Sequence, residues 1–297
     1  MSDLSFITDP SRWRDITPEM YDEINAQIEQ TFAEGCHGNC SSCDSDCDHR
    51  EGSDHLPKFA KRIYAVNGGR GGAGKSSITV LLAALLQRKG LKVGILDCDI
   101  YTATIPHMLG LEGPVVRGEN GGPKPHVTGT GIEVMSVDLI LDKPMDPVLW
   151  PGVDAYNVLN YLYNSTAWGE LDVMLLDMPS GCGDIPLNFY TTVPLDGAIA
   201  VTTPGSLSVE AVQRCINLGM MLMMPTIGYV ENKSFVPEPV SADAYELPRG
   251  CVTVAVPLSG DIAALGDEGA LDTLECPELD KLAEVVVSAV KLAPKKK

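Results

Sequence analysis

Residues Gly69-Arg70-Gly71-Gly72-Ala73-Gly74-Lys75-Ser76 carry the pattern G-x-x-x-x-G-K-[ST]. They follow a short apolar run, Ile63 to Val66, and open a helically patterned segment from about Lys75 to Lys89, which Gly90 caps. Strand, glycine loop and helix in that order form the context such a pattern requires. Glycines let backbone N–H groups turn inward around phosphate oxygens, and the helix N-terminus adds its positive dipole end. Lys75 is placed to reach the outer phosphates, and the Ser76 hydroxyl can ligate Mg²⁺. A loop of this kind demands a strand-and-helix framework around it.

The rest of the chain supplies that framework. Short apolar runs recur at Val93–Leu96, Ile132–Val137, Val173–Leu176, Ala198–Val201, Ile227–Val230 and Val252–Val256, with helical patterns such as Ser208 to Met223 between them. The runs are continuously apolar rather than alternating, as strands buried on both faces are. The expected fold class is α/β: a doubly wound, mostly parallel sheet flanked by helices, with a Cys-rich N-terminal extension. The expected division is residues 1–61 for a helix and four-cysteine extension, and 62–297 for the nucleotide domain. Gly118 to Gly131 reads as a loop, and residues 258–297 as one closing helix and a solvated lysine tail. The run Met220-Met221-x-Met223-Met224 reads as helix core packing rather than a soft partner surface. In the extension, Thr17 and Pro18 start a helix whose stripe is Met20, Ile24, Ile28 and Phe32 or Ala33, and Gly35 stops it.

Charge and composition exclude several classes. Asp plus Glu is 40 against 22 Lys plus Arg, a net charge of −18, which repels phosphate backbones and anionic lipid. No nucleic-acid or membrane partner is expected. The longest apolar runs, such as Ile78 to Leu86, are half the ~20 residues a membrane span needs. Met1 to Arg14 contains no apolar signal core, so a cytoplasmic location is expected.

Nine cysteines in such a chain call for something other than disulfides. Cys36, Cys40, Cys43 and Cys47 are spaced C-x₃-C-x₂-C-x₃-C, while Cys98, Cys182, Cys215, Cys251 and Cys276 are scattered. Four soft thiolates select zinc or an iron–sulfur cluster. The absence of a long spacer brings the run nearer to the ferredoxin-like wrapping of a [4Fe–4S] cube, with zinc the alternative. His37 and His49 read as exposed loop residues. Two strand ends bear carboxylates. Leu175-Leu176-Asp177 has the form of a second Walker motif, and Ile95-Leu96-Asp97-Cys98-Asp99 adds two more beside the loop. One carboxylate can hold the metal's water shell and another can orient an attacking water.

These residues together resemble the Mrp/ApbC-type iron–sulfur cluster carrier ATPases, within the MinD/ParA-like branch of P-loop proteins, over roughly residues 58–265. The loop from Arg70 to Ser77 is similar to the family's K-G-G-x-G-K-S-[ST]. Val93 to Tyr101 with Ile105 to Gly110, Trp168 to Asp172 with Asp177 to Asp184, Val201-Thr202-Thr203-Pro204, and Val230-Glu231-Asn232 match further family motifs. The resemblance implies that Gly71, Gly72, Ala73, Gly74, Lys75, Ser76 and Ser77 bind ATP and Mg²⁺. It implies that Asp97 and Asp99 form the first switch, Asp99 positioning water, that Asp177 is the Walker B carboxylate, and that Asp184 lies in the second switch. Asn232 would read the adenine edge. It further implies a homodimer with ATP between subunits, in which Arg70, in place of the family lysine, reaches the partner's nucleotide. The implied activity is a slow, partner-coupled ATPase serving cluster delivery or maturation of an apo metalloprotein client. ATP-gated electron transfer from a [4Fe–4S] cluster and a MinD-like regulatory ATPase with a structural metal are the alternatives.

The chain departs from the family pattern at several points. Pro179-Ser180-Gly181-Cys182 replaces P-P-G-T, and Thr102-Ala103-Thr104 replaces G-P-S. The C-x-x-C that follows E-N-M-S in scaffold members is absent: Lys233 to Pro239 contains no cysteine. Cys182 is either a buried thiol in place of threonine or a bridging ligand between subunits.

Overall fold

The computed structural model describes residues 56–118, 122–141, 148, 150, 152–239 and 247–293. The expected N-terminal helix, Cys36, Cys40, Cys43 and Cys47, the flanking His37 and His49, and the terminal lysines lie outside them. One sheet contains β1 (Ala60–Gly68), β2 (Val93–Asp97), β3 (His126–Val127), β4 (Glu133–Met135), β5 (Leu171–Asp177), β6 (Gly197–Thr202), β7 (Thr226–Ser234) and β8 (Val252–Pro257). Their spatial order is β3-β4-β2-β5-β1-β6-β7-β8. From β4 across to β8 every neighbouring pair is parallel, and β3 alone runs antiparallel, setting His126 opposite Val134. The helices among the described residues are α1 (Lys75–Arg88), α2 (Ile105–Met108), α3 (Gly152–Ser165), α4 (Asp184–Thr192), α5 (Ser206–Met221), α6 (Gly260–Asp267) and α7 (Asp280–Lys291).

The two-residue period of a strand explains both the apolar runs and the layering. In β1, Tyr64 and Val66 join a core built with Ile78, Leu82 and Leu86 of α1 and Leu282 and Val286 of α7. Their neighbours Ile63 and Ala65 face the opposite layer, with Leu159, Leu162 and Tyr163 of α3 and Phe189 of α4. Successive side chains point to opposite faces, and here both faces are covered. Each such aliphatic side chain contributes roughly 1.5–3 kcal/mol relative to exposure. The segment before β1 is anchored to the second layer. Leu56 N–H donates to Thr192 O at 2.7 Å, the Tyr163 hydroxyl donates to Pro57 O at 2.7 Å, and Phe59 meets Tyr163 edge-on at 5.1 Å.

Four expectations need correction. The 118–131 segment is not wholly a loop: it contains β3, because Gly131 at φ +96° lets Thr128 and Ile132 close a tight reversal onto β4. The strand expected to reach Val137 stops at Met135, because the Ser136 hydroxyl accepts from Asp138 N–H and starts a 3₁₀ turn. The C-terminal zone holds two α-helices, the first capped by Ser259, whose hydroxyl accepts from Asp261 N–H at 3.1 Å. The methionine run is not helix core. Helix α5 ends at Met221, Met223 turns left-handed at φ 55°, and Met221 and Met223 are 82% and 91% exposed while Met224 turns inward.

Gly110 and Gly269 meet backbone to backbone. Both have positive φ, and a Cβ on Gly269 would stand 2.7 Å from Gly110 Cα. Gly269→Ala should therefore destabilise the protein by roughly 2–4 kcal/mol, combining left-handed strain with a clash that no rotamer relieves. Gly113→Ala, at φ +80° in open space, should cost only ~1–2 kcal/mol. Urea denaturation midpoints of the two variants test this, and equal losses would refute the packing argument.

Candidate nucleotide site

The C-terminal ends of β1, β2, β5, β6 and β7 open on one edge of the sheet. From β1 the chain crosses to β2 on one side, and from β5 it crosses to β6 on the other, so the order reverses around β1. In open α/β sheets that reversal leaves a crevice beyond the strand ends. The loop Gly69–Gly74 occupies it.

The loop is shaped by what presses on it. Gly72 and Gly74 adopt φ 80° and 85°, a region costly for a side chain-bearing residue. A Cβ on Gly69 would lie 2.1 Å from the carbonyl carbon of Ala211, so α5 packs directly on the loop. A Cβ on Gly74 would lie 2.2 Å from Asn232 Nδ2. That amide donates to Ala73 O at 2.9 Å, and Lys233 Nζ donates to Gly72 O at 2.9 Å. Lys233 has φ 58° and sits where the β7–β8 register shifts between Asn232 and Ser234. This bulge lets two adjacent residues of β7 grip the loop, one buried and one at the surface.

Helix α1 starts on the far side of the loop and brings three side chains to one place. Lys75, only 6% exposed, donates through Nζ to Ser180 Oγ at 3.0 Å and lies 4.0 Å from Asp99 Oδ2. Ser76 Oγ donates to Asp177 Oδ2 at 2.6 Å, and Thr79 Oγ1 to Asp177 Oδ1 at 2.9 Å. Ser76 and Thr79 are three residues apart on the helix and so share a face. Ser136 Oγ donates to Asp97 Oδ2 at 3.3 Å, and Asp99 N–H donates to Asp97 Oδ1 at 3.1 Å.

Asp97 and Asp177 are both buried at adjacent strand ends, in register with each other. Burial, then the Asp177 charge, pushes the Asp97 carboxyl well above the usual carboxylate range. Burial also raises Asp177, to about 6, against the opposing effects of the Ser76 hydrogen bond, the Lys75 charge and the Thr79 hydrogen bond. Such a concentration of hard oxygen donors is relieved by a cation. No group of three or more His, Cys, Asp or Glu side chains among the described residues forms a ready-made metal cage. The donor set of one hydroxyl and one carboxylate fits Mg²⁺, which usually takes few protein ligands and completes its shell with phosphate and water. The loop itself fits phosphate: Asn232 and Lys233 take the carbonyls of Ala73 and Gly72, and a glycine backbone can turn its N–H groups toward an anion.

The structure brings Gly71, Gly72, Ala73, Gly74, Lys75, Ser76, Asp97, Asp99, Asp177 and Asn232 to one region. Ser77, in the first turn of α1, is half-buried. Arg70 is exposed at the loop tip, and Asp184 is exposed at the start of α4. Cys182 is also exposed, so the expectation of a buried thiol is wrong; Ser180, two residues earlier, meets Lys75. Thr79, Ser136, Ser180 and Lys233 join the site without a sequence motif that marks them. The spacing of Thr79 from Ser76 is the one signal available, since it places both on one helix face; Ser136 and Lys233 are joined to the site only by the sheet.

Thr79→Val keeps the shape of a fully buried side chain but removes one of two donors to a buried carboxylate. The expected loss is roughly 1–3 kcal/mol of stability. An unchanged denaturation midpoint would show that Asp177 does not depend on Thr79.

The comparisons with known proteins agree with this geometry. The family model for the NUBPL iron-transfer P-loop NTPase, of the ParA group, matches residues 60–279. An iron–sulfur cluster carrier protein of Methanococcus maripaludis is 38% identical over 213 residues, which is 68% of this chain and 73% of the relative. One from Methanocaldococcus jannaschii is 38% identical over 67% of this chain and 72% of its own length. Among solved structures, a nucleotide-binding protein from Archaeoglobus fulgidus in complex with ADP superposes with a TM-score of 0.62 at 29% identity, covering 80% of this chain and 94% of its own. The cell division ATPase MinD of Pyrococcus furiosus, at 19% identity and TM-score 0.56, covers 78% and 97% and shares the fold. A glycine loop held between α5 and β7, with Lys75, Ser76 and Asp177 converging beside it, thus sits in a chain that belongs to the NUBPL-type iron-transfer P-loop NTPases.

Proposed function

We propose that the chain is an ATP-hydrolysing carrier that delivers an iron–sulfur cluster to an apo metalloprotein client. The observation that carries this reading is the convergence of Lys75, Ser76 and Asp177 on a glycine loop, in a chain of an iron-transfer family. ATP is the nucleotide, and amides of residues 71–76 bind its phosphates. Lys75, buried beside the loop, turns from Ser180 to neutralise the outer phosphates. Ser76 and Asp177, joined at 2.6 Å, are the residues that would hold Mg²⁺. When bound, Mg²⁺ withdraws charge from the phosphate oxygens. Asp99, beside Lys75, orients the attacking water, and Asp97 supports it through the Asp99 amide. Ser77 closes the first turn of the helix under the phosphates. Asn232 has one N–H taken by Ala73; its second N–H and its carbonyl oxygen are what it offers an adenine edge.

The cargo is a [4Fe–4S] cluster on Cys36, Cys40, Cys43 and Cys47. The working form is a homodimer in which exposed Arg70 reaches the partner's nucleotide. Two relatives named iron–sulfur cluster carrier proteins support the cargo, and the MinD-like fold supports the dimer. The net charge of −18 argues for a protein client rather than nucleic acid, and no helix among the described residues is long and apolar enough to cross a membrane.

Two measurements test the reading. Anaerobically purified full-length protein should carry about four iron per chain, the content of one [4Fe–4S] cluster, and pass it to an apo iron–sulfur acceptor. A colourless, zinc-loaded protein would sink the cargo, and a cluster that is reduced and reoxidised in place without transfer would favour electron transfer. Lys75→Ala should reduce ATP turnover at least ~100-fold, the scale of losing a transition-state charge contact, and a wild-type rate would remove Lys75 from the mechanism.

A further inference from the structure

The stretch after β5 carries a feature that neither the loop chemistry nor the four N-terminal cysteines use. The Cys182 thiol lies 3.2 Å from the Cys215 sulfur. The two residues are 33 positions apart and belong to different elements. Cys182 is exposed in the stretch between β5 and α4; Cys215 is buried on α5, where its thiol donates to Ala211 O at 3.7 Å. Both elements touch the nucleotide loop. Ser180, two residues before Cys182, accepts from Lys75 Nζ, and Gly181 N–H donates to Gly68 O at 2.8 Å. Ala211, one helical turn before Cys215, packs on Gly69. Lys75 lies close enough for its charge to act on the Cys215 thiol.

We infer that Cys182 and Cys215 are a reversible oxidation site, whose disulfide clamps the Pro179–Gly183 stretch to α5 and arrests nucleotide turnover. The regulatory half of this inference rests on the function proposed above. A disulfide needs its sulfurs at about 2.05 Å, so the pair must close by roughly 1 Å. The exposed stretch that carries Cys182 can supply that movement, whereas the helix that carries Cys215 cannot. The oxidant is a peroxide, and access decides which sulfur reacts first. Peroxide oxygen transfers to the exposed Cys182 sulfur, the O–O bond breaks and hydroxide leaves, giving a sulfenic acid. The Cys215 sulfur then attacks the Cys182 sulfur; the S–S bond forms, the S–O bond breaks, and water departs with the Cys215 proton. In sum, two thiols lose two electrons and two protons, and the peroxide becomes two waters. A dithiol reverses the change by exchange. Burial pushes the Cys215 thiol well above its usual range, which fits a resolving partner rather than the first target.

The clamp acts on turnover because it fixes one neighbour of Lys75. With Cys182 tied to α5, Ser180 can no longer move away from the ammonium, and Gly181 stays hydrogen-bonded to the strand that leads into the loop. A triphosphate then meets a lysine already engaged.

The test treats the full-length protein with hydrogen peroxide, alkylates the remaining thiols and seeks the peptide pair by mass spectrometry, with ATP turnover measured alongside. The expected result is a Cys182–Cys215 cross-link, a fall in turnover of at least fivefold, and recovery with dithiothreitol. Cys215→Ala should form no such link and should keep its turnover through the same treatment, which separates the clamp from oxidation at the other cysteines. Cys215→Ser serves the same purpose should the alanine variant not fold. Absence of the cross-link, or a cross-linked protein that turns over ATP at the reduced rate, overturns the inference. A reduced protein with no turnover strikes at the proposed hydrolysis instead, and the oxidation site then stands or falls on the cross-linked peptide alone.

Discussion

The carboxylate of Asp177 ties the central sheet to the start of α1. It ends β5, is fully buried, and accepts from Ser76 at 2.6 Å and from Thr79 at 2.9 Å. A buried carboxylate is tolerable only when its oxygens are satisfied, so the helix cannot shift along its axis without leaving that group bare. The helix N-terminus is therefore held against the strand end, and the glycine loop between them has its two ends fixed. Lys75 follows from the same constraint: with Ser76 pinned, its side chain must run back beneath the loop, where Ser180 and Asp99 receive it.

The loop is also held from the side. Helix α5 presses on Gly69, and Asn232 and Lys233 of β7 take the carbonyls of Ala73 and Gly72. With those carbonyls turned outward and bonded, the loop's N–H groups are left for an anion. The elements that shape the phosphate cradle are thus the ones that move if α5 or the end of β7 moves. The thiol pair sits on this same lateral contact, joining α5 to the stretch that carries Ser180. Nucleotide state and thiol state consequently act on one mechanical element.

Much of the site was legible because it is local. Gly69 to Ser76 lies within one turn of chain, and the requirement for glycine at Gly72 and Gly74 is a property of the backbone there. Asp97 and Asp177 were marked by apolar runs ending in a carboxylate, a pattern that reports a strand end facing a crevice. Other features lacked a local mark. Ser136 is a cap residue until the sheet places it against Asp97, and Lys233 is a surface lysine until the β7 bulge turns it toward Gly72. The methionine run escapes a sequence reading because helical spacing carries no information about where a helix stops; α5 ends inside it.

Sequence by itself determined the alternation of buried strands and helices, the phosphate loop and the carboxylates beside it. Each of these is written in spacing over a few residues, and such spacing fixes backbone geometry directly. Tertiary structure alone decided which distant residues became neighbours. The order β3-β4-β2-β5-β1-β6-β7-β8 sets Asp97 in register with Asp177, brings Asn232 under Gly74, and carries Cys182 to Cys215. Those contacts depend on how strands are ordered in space and on helices seated across them, and no local pattern encodes that order.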